Sequence, residues 1–331
     1  MIDEKTGHDS INCTHIFPAI IADMNPPKLS VNAFMAGIID YAGMYPPANL
    51  SLEEAFGNFV EYQSSVDAWI LSRFVVPAKR LVEIPKFQED LSFTALTRGG
   101  KDVTDFLENI SLDISDIKSF CEAYSNASVE MCEAALPASS LTDKFTANEV
   151  VTRAADTLNK NGITVFFEAP FGEGWESRVE KLTRALRKVK DKHVGLKLRT
   201  GGVTAGAFPS PGQIAWAIAE ARDADVPMKY TAGLHHPIRH YNESVQAKMH
   251  GFLNVFGAGV LTFAIGISQK EMQAILEDEN PANFIFDENG FEWKGMRANN
   301  LEISNARQFA TSFGSCSFDE PREDLQKLNL L

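Results

Sequence analysis

An alternation constrains this chain more than anything else in it. From Val66 onward, apolar runs of strand length alternate with amphipathic helical patterns, which is the pattern of βα units around a parallel sheet. The candidate strands are Asp67 to Val76, Leu91 to Thr97, Val129 to Leu136, Ile163 to Ala169, Val194 to Thr200, Pro227 to Ala232, Gly251 to Val255 and Asn283 to Asp287. The central runs start roughly thirty residues apart, as a βαβ crossover requires. The helices between them are well marked: Ser210-Pro211-x-Gln213 and Ser268-x-x-Glu271 are capping boxes, and Val179, Leu182, Leu186 and Val189 form an apolar stripe. Eight such runs predict an α/β fold, a (β/α)8 TIM-type barrel, over a doubly wound sheet. No GxGxxG or GxxxxGK loop follows an early strand, so no dinucleotide or nucleotide cofactor is expected.

The predicted organisation has three parts: an N-terminal helical extension over residues 1–65, the barrel over 66–313, and a C-terminal tail over 314–331 packed on the body. The extension opens with a short apolar run, His15 to Ala22, which reads alternatively as a strand. A helix then carries Val31, Phe34, Met35, Ile38 and Ile39 on one face, and a second starts at the box Ser51-x-x-Glu54. A last helix is expected near Asn300 to Phe313. In the tail, Phe313, Phe318, Leu325 and Leu328 supply the packing face.

With 331 residues, 44% of them hydrophobic and 23% charged, the chain can bury a large core. A net charge of −13 repels phosphate backbones and anionic membranes, so neither nucleic acid nor a membrane surface is an expected partner. No apolar stretch reaches the roughly 18 residues of a membrane span. Cys13, Cys121, Cys132 and Cys316 are scattered, without CxxC spacing. That argues against a disulfide framework or a zinc cluster and fits the cytoplasm. The acidic N-terminal helices are expected to cover either the barrel's bottom or the interface of a homo-oligomer.

A TIM-type barrel carries its site at the C-terminal ends of its strands, which fixes where to look for chemistry. The stretch KYTAGLHHPIRH, Lys229 to His240, packs a lysine, three histidines and an arginine behind a short buried run. Nearby strand ends offer Arg73, Glu168, Lys197 and Arg199. Alternation puts Lys197 and Arg199 on one face of their strand and Lys229 and Thr231 on one face of theirs. Two lysines on adjacent strands depress each other's pKa, and a neutral amine is what Schiff-base chemistry needs. Lys229 is the preferred nucleophile on this reading, with Lys197 tuning it, Glu168 orienting a lysine or acting as base, and His236 or His235 moving protons. Arg199, Arg73 and Arg239 would hold an anion, helped by backbone at Gly201 and Gly202 and by Asn254. The competing reading makes Glu168 and Arg199 a buried structural pair and the histidines hydrogen-bonded members of a packed loop. No HxH or HExxH is present, and no metal site is expected.

The strand motifs KLRTGG and KYTAG resemble those of class I aldolases. Together with FPSP, TAGLHHPIRH, MHGFLN and GSCSFDEP they resemble an uncharacterised family of bacterial proteins. The resemblance implies a barrel and a shared site, and adds no activity. The expected function is therefore a lyase or aldolase-type barrel enzyme acting on a small anionic carbonyl compound. The alternatives are a phosphoribosyltransferase-like site, a metal-dependent hydrolase, and a noncatalytic anion-binding protein.

Overall fold

The computed structural model describes residues 28–190 and 192–331. The strands are β1 (Ile39–Tyr41), β2 (Leu71–Pro77), β3 (Leu91–Leu96), β4 (Ala127–Ala135), β5 (Thr164–Glu168), β6 (Val194–Arg199), β7 (Met228–Thr231), β8 (His240–Asn242), β9 (Ala247–Met249), β10 (Phe284–Asp287), β11 (Gly290–Trp293), β12 (Met296–Asn299) and β13 (Ala310–Ser315). The helices are α1 (Leu29–Met35), α2 (Leu52–Gln63), α3 (Val103–Ala123), α4 (Lys144–Asn159), α5 (Trp175–Lys188), α6 (Pro211–Ala224), α7 (Phe252–Ile265), α8 (Gln269–Glu277), α9 (Asn300–Ala306) and α10 (Asp319–Lys327). Eight strands close into a parallel barrel in the order β1-β13-β7-β6-β5-β4-β3-β2, so the TIM-type architecture expected from the alternation is the one observed. The capping boxes of α6 and α8 form in full, each serine accepting the N3 amide while the N3 side chain accepts the cap amide.

Six of the expected strands lie in the barrel, and the two terminal positions differ. The barrel's first strand is β1, inside what the sequence presents as a helical extension. Helix α1 stops at Met35 because Gly37 takes a left-handed φ of +58° and turns the chain into Ile39-Asp40-Tyr41, all three buried. Helix α2 then covers the barrel in the ordinary way. Phe56 stands edge-on to Phe74 of β2 at 5.6 Å, and Phe59 lies 5.4 Å from the same ring. Each such ring contributes roughly 2–3 kcal/mol by leaving water. The barrel thus begins at 39 rather than 66, and β13 carries it to 315. The apolar run His15 to Ala22 lies outside the described residues.

Gly251–Val255 opens α7 rather than a strand. That helix buries every residue from Phe252 to Thr262, and a helix apolar all round has no 3.6-residue contrast to distinguish it from a buried strand. The run at 283–287 does contain a strand, β10, but it pairs antiparallel with β11 in a separate three-stranded sheet, β10-β11-β12. The eighth barrel strand, β13, falls where a helix to Phe313 is expected. Ile303, Ala306, Ala310 and Phe313 are all buried and recur at helical spacing, although the first two belong to α9 and the last two to β13. The tail packs back through Phe318 and Leu325, as its apolar residues predict.

Candidate active site

The barrel register brings the charged strand residues together. Glu168 of β5 pairs with Lys197 of β6, and Lys197 with Lys229 of β7, so all three point to the same side of the sheet, into the barrel. Glu133 of β4 joins them. Its two oxygens bridge the lysines, one 2.7 Å from Lys197 Nζ and the other 3.2 Å from Lys229 Nζ. Glu168 lies 2.9 Å from Lys197 and 3.8 Å from Arg199. On the other side Lys229 is in ion contact with Asp40 and 3.2 Å from the Ser312 hydroxyl, while Asp40 is 3.7 Å from Arg73. The result is an alternating series, Arg73, Asp40, Lys229, Glu133, Lys197, Glu168, Arg199, through the barrel interior. Each buried charge has an opposite neighbour, which is the condition under which such charges are tolerated.

The two lysines differ in access. Lys197 is 11% exposed and lines a cavity of about 300 Å³ at the C-terminal mouth, together with Glu133, Arg199, Gly202, Thr231, His235, Cys316 and Tyr45. Lys229 is fully buried beneath it and reaches no part of that cavity. Burial opposes charge on both. For Lys197 the Glu133 and Glu168 carboxylates outweigh it and hold the amine above its usual range as an ammonium. Burial pushes Lys229 down to about 7, although Asp40 and Glu133 lie against it.

The other sequence-derived candidates divide between the cavity and its supports. Arg199 stands at the rim, 41% exposed, with its Nε donating to the Gly201 carbonyl. Gly202 lines the cavity, whereas Gly201 packs behind it. A Cβ on Gly201 would meet Phe208 at 2.6 Å and the Gly233 Cα at 3.0 Å. Gly201→Ala is therefore expected to cost about 1–3 kcal/mol in urea unfolding, the range for overpacking. Arg73 lies away from the mouth. It lines a recess of about 590 Å³ with Ser72, Thr164 and Val194 from the N-terminal ends of their strands, so it cannot share a ligand with Lys197. Asn254 is buried and donates to the Ile275 and Asp278 carbonyls, and its oxygen accepts from the Arg239 amide. The Arg239 side chain contacts His250 Nδ1 at 3.1 Å. Both residues brace the loop before α7 and do not reach the cavity.

The histidines fasten α10 across the mouth. His235 Nδ1 lies 3.2 Å from Glu320, and His236 Nδ1 lies 2.6 Å from Asp324. His235 lines the cavity and His236 a neighbouring recess. Burial works against charge on His235, but contacts with Cys316 and Glu320 raise it to about 9. The stability from that pairing is fully present below the unfolded histidine value of about 6.5 and is lost as pH rises through 9. Glu320, held low chiefly by His235, adds stability above its unfolded value near 4.3 that is lost as pH falls. The midpoint of thermal unfolding should therefore fall between pH 7 and 10, and Glu320→Gln should flatten that decline. Among the described residues no group of three or more His, Cys, Asp or Glu side chains is placed to hold a metal ion.

Asp40 and Ser312 are members of this cluster that the sequence did not single out, and it left Glu133 as one of two alternatives with Glu130. Parity allows at most one of Glu130 and Glu133 to face the interior, and it is Glu133, which pairs with Phe166, two residues before the inward Glu168. Asp40 carried a fainter signal, one acid inside the apolar run Ile38-Ile39-Asp40-Tyr41.

No family model matches the chain, and no curated protein is similar to it. Solved structures resemble it distantly. A tetrameric deoxyribose phosphate aldolase from Aeropyrum pernix is 13% identical, with 90% of this chain and 93% of that one covered and a TM-score of 0.48. A GH6 enzyme from Orpinomyces sp. Y102 is 11% identical over 64% of this chain and 74% of that one, with a TM-score of 0.33. A zinc-bound IolI protein is 13% identical over 73% of each chain, with a TM-score of 0.32. At such scores these likenesses add nothing about the reaction. No helix among the described residues is long and apolar enough to cross a membrane.

Proposed function

We propose that the chain is a lyase of aldolase type, acting on a small carbonyl compound with an anionic group, and that Lys197 rather than Lys229 is the amine that meets the carbonyl. The observation that carries this reading is the difference in access: Lys197 lines the mouth cavity and Lys229 is sealed beneath it. A cavity of about 300 Å³ suits a compact ligand, at the low end for small-molecule pockets. Arg199 at the rim offers a guanidinium to a carboxylate or phosphate.

The resting ammonium of Lys197 must lose a proton before it attacks, and Glu133 and Glu168, both in contact with Nζ, are the acceptors. The freed amine adds to the carbonyl carbon as the C=O pair moves to oxygen. The nitrogen then gives up a second proton, and the two protons delivered to that oxygen let it leave as water, giving the iminium, the electron sink for carbon–carbon cleavage. Lys229 lies against Glu133, and its positive form there reduces the hold of Glu133 on the Lys197 proton.

A second reading is noncatalytic anion binding, favoured by the same carboxylates that keep Lys197 charged. Borohydride reduction in the presence of a panel of keto acids and aldehydes separates the two. Aldolase-type chemistry predicts a covalent adduct on the protein with at least one of them; ligand binding without any adduct supports the anion-binding reading.

A further inference from the structure

We infer that the recess at the N-terminal end of the barrel is a second anion site, in which Arg73 takes a phosphate group, free or as the monoester of a small organic compound. It lies at the other end of the strands from the Lys197 cavity and does not depend on the lysine chemistry. Two strand irregularities build it. Ile39 to Tyr41 of β1 is two steps long and pairs with Leu71 to Phe74, which is three, so β2 holds one extra residue there. The pairing of β13 with β7 repeats this, Ala310 to Phe313 standing against Met228 to Tyr230. In a regular strand neighbouring side chains point to opposite faces, but Ser72 and Arg73, and again Thr311 and Ser312, line the one recess. Bulges of this kind re-aim a side chain.

The charge of the lining points to the ligand. Arg73, Lys190, Lys192 and Arg307 line the recess, and among the described residues no carboxylate does, in a chain whose net charge is −13. Lys190 lies 2.9 Å from Asp225, Lys192 pairs with Asp156, and Arg307 donates to the carbonyls of Phe34, Ala36, Ala310 and Thr311. Arg73 is not satisfied in this way. Its Nη1 donates to the Ser72 hydroxyl, but Asp40 at 3.7 Å and Glu130 at 3.9 Å stand beyond hydrogen-bond reach, and its buried Nε has no acceptor. A guanidinium carries its donors in a planar fork that matches an oxyanion, so an arriving phosphate displaces loose contacts and gains hydrogen bonds. The neighbouring lysines favour a doubly charged ligand over a carboxylate. A volume of about 590 Å³ leaves room for a small organic body behind the phosphate.

Isothermal titration calorimetry tests the site on the full chain carrying Arg199→Gln, which removes the rim guanidinium of the mouth cavity. Inorganic phosphate and glycerol 3-phosphate are titrated separately at constant ionic strength. At least one should bind saturably with a Kd of about 1 mM or tighter, and the tighter of the two tells free phosphate from monoester. Adding Arg73→Gln should weaken that binding by roughly tenfold or more. If Arg73→Gln fails to fold, Gln308→Glu, which sets a carboxylate in the recess and leaves the Asp40 contacts in place, should weaken it likewise. No saturable binding of either compound overturns the site, and so does unchanged affinity in the variant measured. Binding present in the unaltered protein and lost with Arg199→Gln alone puts the anion at the mouth, which overturns the second site and leaves the Lys197 reading standing.

Discussion

Asp40→Ala should lower the free energy of unfolding by about 3–5 kcal/mol, the loss expected when one member of a buried ion pair is removed. Asp40 and Lys229 are both fully buried, and Lys229 keeps only Glu133 and the Ser312 hydroxyl once the aspartate is gone. Burial already pushes the Lys229 amine down to about 7, so the unpaired amine should shed its proton readily as pH rises. The deficit measured by urea unfolding should then be larger at pH 6 than at pH 9. Asp40→Ala with Lys229→Met should recover much of it, because the orphaned charge is removed. A loss of under about 1 kcal/mol at pH 6 would show that the series of ion pairs is not closed in solution.

Lys197→Arg should keep the fold and abolish turnover, with a rate loss of at least about 10³-fold for a group that forms the covalent intermediate. The guanidinium preserves the positive charge between Glu133 and Glu168, 2.7 and 2.9 Å from the present ammonium, but cannot form an imine. Steady-state kinetics on any compound that traps, with circular dichroism as the fold control, is the check. Lys197→Met should lose the same activity and stability besides, since two buried carboxylates then lack their cation. Retained turnover in the arginine variant would leave Lys197 a structural cation.

How far the site was legible follows from where its residues lie. Strands β2 to β7 and the boxes capping α6 and α8 announce themselves, because period-two and capping patterns survive whatever packs around them. Lys197, Glu168 and Arg199 come with those strands. Strand β1 has only three residues, and β13 continues the helical spacing of α9, so the two ends of the barrel are hidden. Asp40 and Ser312 sit on those two strands, and they complete the surroundings of Lys229. Without them Lys229 reads as an open amine at a strand end. Arg73 misleads for a related reason: a sequence shows that a residue lies in a strand, but its height along the barrel follows from strand ends that are themselves uncertain. The histidines divide the same way, since their partners, Glu320 and Asp324, lie more than eighty residues further along the chain.

The location of a borohydride-trapped adduct decides which lysine meets the carbonyl. The protein would be reduced in the presence of a keto acid or aldehyde that it binds, digested, and the modified lysine identified by mass spectrometry. The label is expected on Lys197, which lines the cavity, and not on Lys229, which is buried below it. A label on Lys229, or no label with a compound that is nevertheless turned over, would contradict that assignment.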